Sequence, residues 1–339
     1  MEEQYTQVLD ENSIPEWLYK AQRRLRMMEP AQRLEEELLC LSSWLSLNRF
    51  EERARTILRD DFSTVLSAVD GVGQWIGVGS ATTGLMLPNS NVDFIVSPLQ
   101  AGDELSCENR VYASLSASNA FYNVQVVGNS SARYIEAMHS KTGVGLVVRV
   151  EATCDGSFSS FLQESQKDVL FRPLYAVIHY YLLQNRVVLD DLHFLIPLSV
   201  LYCLLVLRKP NESSTLGSAF LLYLRFFSQE GNLLPASARG NNYPFSAFCS
   251  SVATATHISM DLESPSAIRR LRELASLFRH AHNQIFSALQ RDSQSCILAT
   301  IFSPSPRLSS RLAESSYFNL SPPPLPSPSS SSSYQFNPL

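Results

Sequence analysis

The spacing of apolar positions changes twice along this chain. Phe50, Ala54, Ile57, Leu58, Phe62, Val65 and Leu66 recur at three- and four-residue intervals, which predicts an amphipathic helix. Asn48, with Glu51 three residues on, supplies a capping-box start for it. From about Trp75 to Cys154 the period shortens. Trp75, Ile76 and Val78 predict a short strand running into a turn at Gly79 and Ser80, and Val92, Phe94 and Val96 mark one face of a second strand. Asn91 and Asp93 then share its opposite face. A helix near Cys107 to Ala117 and a strand at Tyr122 to Val127 follow, and helical spacing returns from about Phe161. The last helix carries Ile268, Leu271, Leu274, Leu277, Phe278 and Ile285 on one face. Strands in the middle with helices on both sides predict an α+β fold.

Two stretches depart from this periodicity. Leu192 to Leu207 contains no Asp, Glu, Lys or Arg over sixteen residues. A membrane-spanning helix needs about 20 residues, and His193 and Pro197 interrupt this one, so a buried helix starting near Pro197 is expected, with no membrane partner. Ser321 to Ser333 is all Ser and Pro except Leu325, too little apolar surface to order itself. Its Pro323 to Pro326 run is PxxP-like, and Ser303, Ser305, Ser321 and Ser327 each precede a proline. An idle disordered tail is the default expectation, a docking or phosphorylation segment the alternative.

With 339 residues, 45% of them hydrophobic, the chain has material for a large core and two domains. A net charge of -5 and a pI near 5.7 argue against a general nucleic-acid binder and leave room only for local RNA contact. Candidate basic patches are Arg23, Arg24 and Arg26, and Arg269, Arg270, Arg272 and Arg279; each alternates with leucines as a solvated helix face would. The cysteines at positions 40, 107, 154, 203, 249 and 296 form no Cys-x-x-Cys pair, which favours reduced thiols over a zinc site or disulfides. The acidic start, MEEQ, lacks the regions of a signal peptide.

Chemistry concentrates in WIGVGSATTGLMLPNSNVDFIV, residues 75–96. Gly79 permits close backbone approach to a triphosphate, and Ser80 offers a hydroxyl donor. An i, i+2 carboxylate pair on the next strand would hold a divalent cation against that triphosphate. Only Asp93 of such a pair is present.

The layout, an apolar residue, Gly79-Ser80, ten residues and then Asn91-Val92-Asp93-Phe94, resembles the signature of DNA-polymerase-beta-like nucleotidyltransferases, whose last four positions are normally Asp, apolar, Asp, apolar. The longer string GSATTGLMLPNSNVD resembles the TRAMP-type noncanonical poly(A) polymerases and their terminal uridylyltransferase relatives. Ser140 to Gly143 with Val144 to Val150 is similar to the family's third palm strand, Pro173 to Gln184 to the helix after it, and Leu216 to Ser228 to a helix closing the central domain. Weaker likeness extends from Trp17 to about Gln284. The resemblance implies an N-terminal tail (1–13), helices packing with the central domain (14–68), a nucleotidyltransferase palm (69–160), a discontinuous helical central, or PAP-associated, domain (161–292) and the Ser/Pro tail (293–339).

In an intact relative, the resemblance implies, Gly79 and Ser80 hold the triphosphate of ATP or UTP and positions 91, 93 and 147 bind two Mg2+ or Mn2+ ions. An RNA 3'-hydroxyl then attacks the alpha-phosphate. This chain departs at Asn91 and at Val147, which falls on the third Asp. Glu151 shares the face of position 147 but stands about 13 Å along the strand; a bulge at Gly145 would be needed to bring it nearer. The family lysine falls on His179, the Gly-Gly-Leu-Ser-Ser-Tyr segment on His193 to Leu198, and the base-reading loop on Met260 to Ser266 (MDLESPS). Two functional readings follow. One is a pseudoenzyme scaffold for RNA-processing or RNA-surveillance partners such as a helicase or zinc-knuckle protein; the other is a weakly active RNA adenylyl- or uridylyltransferase relying on Asp93 and Glu151. The family implies an intracellular address, nuclear before cytoplasmic.

Overall fold

The computed structural model describes residues 22–25, 27–88, 90–129, 132–187, 194–208, 215–235, 244–258, 260–291 and 296–302. The chain enters through α1 (Gln22–Leu25), α2 (Pro30–Leu45) and α3 (Arg49–Ser67). A palm segment follows: β1 (Val72–Val78), α4 (Ser80–Thr83), β2 (Val92–Pro98), α5 (Glu104–Ala117), β3 (Phe121–Asn129), β4 (Ala132–His139) and β5 (Gly145–Val150). Then come α6 (Ser157–Ser165), α7 (Phe171–Gln184), α8 (Leu195–Tyr202) with a π-helical extension Cys203–Leu207, α9 (Leu216–Phe227), α10 (Glu230–Leu233), α11 (Pro244–Thr256), α12 (Pro265–Gln290) and a 3-10 turn Leu298–Thr300.

The strands form one mixed sheet in the order β1-β2-β5-β4-β3. β2 and β5 run parallel; every other neighbouring pair is antiparallel. One face of the sheet packs into an apolar core. Val92, Phe94 and Val96 of β2, Leu146 and Val148 of β5, and Ile135 and Ala137 of β4 pack against Val111 and Leu115 of α5 and against Ala54, Leu58, Phe62 and Leu66 of α3. The Phe62 ring lies 4.4 Å from Phe94 and edge-on to Trp75 and Phe121, with centroids at 5.9 and 6.5 Å. This corrects the expectation that all the N-terminal helices pack with the central domain. α3 packs on the palm because its aromatic anchor matches the aromatic side chains of the sheet.

α2 does join the helical region, so that region is discontinuous in sequence. Leu34, Leu38, Leu41 and Leu45 share one apolar core with α7, α8, α9 and α12. Two carboxylates lock the assembly: half-buried Glu35 accepts hydrogen bonds from the first backbone N–H groups of α9, at Leu216 and Gly217, and buried Glu37 from those of Ile297 and Leu298. Every residue of α8 is buried. α8 begins at Leu195, two residues before the expected start, because Pro197 sits in the first turn, where its missing N–H costs nothing. Among the described residues no helix is long and apolar enough to cross a membrane. Of the stretch expected as a disordered tail (293–339), residues 296–302 instead pack into the helical core through Ile297, Leu298 and Phe302, whose apolar side chains the Ser/Pro composition further on lacks; residues 303–339 and His193 lie outside the described residues.

Candidate functional site

The strands that bury one face leave the other towards α7. Register places Val78, Asp93, Val147, Glu136 and Gln125 in one row across the sheet. Val147 therefore stands directly beside Asp93 on the neighbouring parallel strand, where the resemblance asks for a carboxylate. Glu136 is two strands from Asp93, about 10 Å, and is engaged by Gln125, whose Nε2 donates to its Oε2 at 3.2 Å.

Asn91, the other altered position, holds its amide oxygen against the Cα of Gly145: a Cβ built on Gly145 would stand 2.2 Å from Oδ1. The β2–β5 ladder runs without a shift from Val92/Leu146 to Val96/Val150, and Gly145 pairs regularly with Met138. No bulge brings Glu151 towards Asp93. The Glu151 N–H instead continues the ladder to the Val96 carbonyl at 3.0 Å, leaving its carboxyl four residues from position 147.

The glycine-serine turn is well formed. Gly79 adopts φ 61°, ψ -138°, which a side chain would strain, and a Cβ there would lie 3.6 Å from Asp93 Oδ2. The hydroxyls of Thr82 and Thr83 both donate to the Gly79 carbonyl, at 3.2 and 2.9 Å. From α6 Gln163 donates to the Thr82 carbonyl at 2.6 Å, and Gln166, just beyond that helix, to the Thr83 carbonyl at 2.8 Å. Ser80 is half-buried at the start of this clamped turn.

Arg55 was not singled out from the sequence, yet it organises the motif. From α3 it donates to the carbonyls of Leu87, Pro88 and Ser90 at 3.2, 2.7 and 3.2 Å, while Ser90 Oγ accepts from the Leu87 N–H at 2.9 Å. The Leu-Pro and Ser elements of the motif thus serve to set the loop that presents position 91. The signal was a charged residue inside the apolar stripe, between Ala54 and Leu58.

Electrostatics separate the cleft from a metal centre. Burial pushes Asp93 up from 3.8 to about 6, against the pull of Arg149. Glu151 is raised by burial, lowered by the same Arg149 and raised again by Asp155. On α7, burial and then the nearby Asp93 push the Tyr175 hydroxyl upward. His179, one turn along with its ring 5.2 Å from that of Tyr175, is lowered by burial to about 4, and its buried Nδ1 has no hydrogen-bond partner among the described residues. A neutral imidazole offers no charge to a triphosphate.

The donor set does not fit a pair of divalent ions. It comprises one carboxylate, an amide resting on Gly145 and a valine, with an arginine two residues beyond that valine on the same face. Among the described residues no three or more His, Cys, Asp or Glu side chains gather as a metal site. The segment at Met260 to Ser266 serves the helix that follows: Asp261 Oδ1 accepts from the N–H groups of Glu263 and Ser264, and Ser264 caps α12 through the Ala267 N–H. Both basic stretches contribute to local ion pairs, Arg24 with Glu36, Arg269 with Glu273 and Arg279 with Glu230.

No family model and no curated protein matches the chain by sequence. Solved structures do match in fold. The polymerase core of TRAMP, an RNA surveillance complex, superposes with a TM-score of 0.65 at 18% identity, covering 84% of this chain and 98% of that one. A mutant of the Cid1 poly(U) polymerase bound to MgATP gives 0.60 at 14% identity, with 80% and 98% covered. The GLD-2/RNP-8 complex gives 0.57 at 12% identity, with 79% and 98% covered. The chain has the fold of these polymerase cores, an α+β palm joined to a helical region.

Proposed function

We propose that this protein is a pseudoenzyme of the noncanonical poly(A) polymerase family, keeping the nucleotidyltransferase scaffold to support RNA processing or surveillance without transferring nucleotides. The observation that carries this reading is the β2–β5 register, which sets Val147 beside Asp93. Two-metal transfer needs anionic ligands shared between ions about 4 Å apart. One carboxylate raised to about 6, next to an arginine, cannot share two ions or activate a 3'-hydroxyl.

The intact turn at Gly79 and Ser80, with Asp93 against it, supports the second reading, a weak RNA adenylyl- or uridylyltransferase using Mg2+ or Mn2+ with ATP or UTP. Its chemistry would rest on Asp93 alone, since Glu151 is held away. The scaffold reading takes RNA-processing proteins as partners, a helicase or a zinc-knuckle protein, and a nuclear address. It is supported by neighbours described in an RNA surveillance complex and in a complex with RNP-8.

The test is extension of a labelled RNA primer by the purified chain with all four nucleotides and Mg2+ or Mn2+, beside Asp93→Ala and Asn91→Asp. The scaffold reading expects no extension by the wild type or by Asn91→Asp. Extension abolished by Asp93→Ala would establish the enzyme.

A further inference from the structure

Arg149 is a cleft residue that none of the family's expected roles accounts for. Along β5, Leu146, Val148 and Val150 face the core, so Val147 and Arg149 face the cleft, as does Glu151 just past the strand end, whose N–H still bonds the Val96 carbonyl. Arg149 pairs in register with Ile95, two positions beyond the Asp93–Val147 pair. Asp93 is therefore its diagonal neighbour across the ladder and Glu151 its i+2 neighbour along the strand, each about 7 Å away at Cβ and within reach of a guanidinium. The half-buried side chain makes no close ion pair among the described residues, yet it acts on both carboxyls at once. His179 adds no charge, so Arg149 is the cation that balances this part of the cleft.

A divalent ion at Asp93 would face this guanidinium across a partly dehydrated gap, where like charges repel more strongly than in water. Carboxylates missing at positions 91 and 147 are thus only part of what separates the cleft from a metal centre. Resting on the pseudoenzyme reading, we propose that Arg149 excludes divalent metal from the cleft: it supplies between Asp93 and Glu151 the positive charge a metal would bring. Restoring carboxylates at 91 and 147 does not by itself restore tight metal binding.

The experiment is Mn2+ binding to the full chain, followed by paramagnetic resonance of the free ion, with circular dichroism reporting folding of each variant. The proteins are the wild type, Asn91→Asp/Val147→Asp, and that pair with Arg149→Gln or with Arg149→Lys. The double variant should bind Mn2+ weakly, Arg149→Gln should tighten it by at least about tenfold, and Arg149→Lys, which keeps the charge, should not. If the glutamine variant fails to fold, Arg149→Ser takes its place as the neutral side chain. Equal Mn2+ affinity with arginine and with the neutral residue, or an equal gain from lysine, overturns the proposal. Primer extension by the wild type would overturn the pseudoenzyme reading instead, and the Arg149 comparison is read independently of it.

Discussion

β2 and β5 each have two faces, and the two have met different fates. On the inner face Val92, Phe94, Val96, Leu146 and Val148 close on Phe62 and its aromatic neighbours, as a sheet covered by helices requires. On the outer face Asp93, Val147 and Arg149 stand at regular ladder positions with Glu151 just past the strand end, and among the described residues no three or more His, Cys, Asp or Glu side chains gather there as a metal site. Inner positions are bound by packing, where a lost side chain leaves a cavity. Outer positions such as Ile95 and Val147 are buried too, but they belong to neither apolar cluster, so a change of chemistry there disturbs the shared core less. The fold of a polymerase core therefore persists at 18% identity, carried by the inner face.

The comparison breaks most visibly at Phe62. Phe62→Ala should lower stability by about 3–5 kcal/mol in urea unfolding, whereas an outer-face change such as Val147→Thr should stay far below that. Similar losses from both would erase the distinction between the faces.

Asp93→Asn sharpens the contrast by reversing the sign. The folded-state value near 6, against 3.8 unfolded, means the wild type is penalised for ionising Asp93: its stability contribution is complete below about pH 4 and lost as pH rises through about 6. The asparagine variant should be more stable at pH 7.5 by up to about 3 kcal/mol and show no such decline. Unfolding curves at pH 4.5 and 7.5 check it, and destabilisation at the higher pH would contradict the electrostatic picture.

Glu37 provides the opposite kind of buried carboxylate. Burial raises it too, but it accepts the Ile297 and Leu298 N–H groups at 3.0 and 2.8 Å and the Cys296 thiol. Glu37→Ala should cost about 1–3 kcal/mol by orphaning those donors, measured by thermal unfolding. At the smallest scale, Asn48→Ala removes the observed capping box of α3 and should cost about 1 kcal/mol.

Much of this architecture was legible in the sequence. The stripe from Phe50 to Leu66 became α3 with the cap at Asn48 and Glu51, and the late stripe became α12. The strand at Val92 and the turn at Gly79-Ser80 stand where spacing put them. What α3 packs against was not legible, because an apolar stripe states that a face is buried without stating by what. Arg55 was hidden for a similar reason: three of its four carbonyl partners lie more than thirty residues away in the chain.

By itself, then, the sequence determined the periodic elements, the glycine-serine turn and the presence of an amide at 91 and an aliphatic side chain at 147, since each depends on residue type and short-range spacing. Only the tertiary structure decided that Val147 lies beside Asp93, that Glu151 stays out of reach, that Asn91 rests on Gly145 and that Arg149 stands between two acids. Those facts arise from the pairing of β2 with β5, strands joined through α5 and the β3–β4 hairpin. Register between segments so far apart is set by which side chains fill the shared core, and no local pattern in either strand records it.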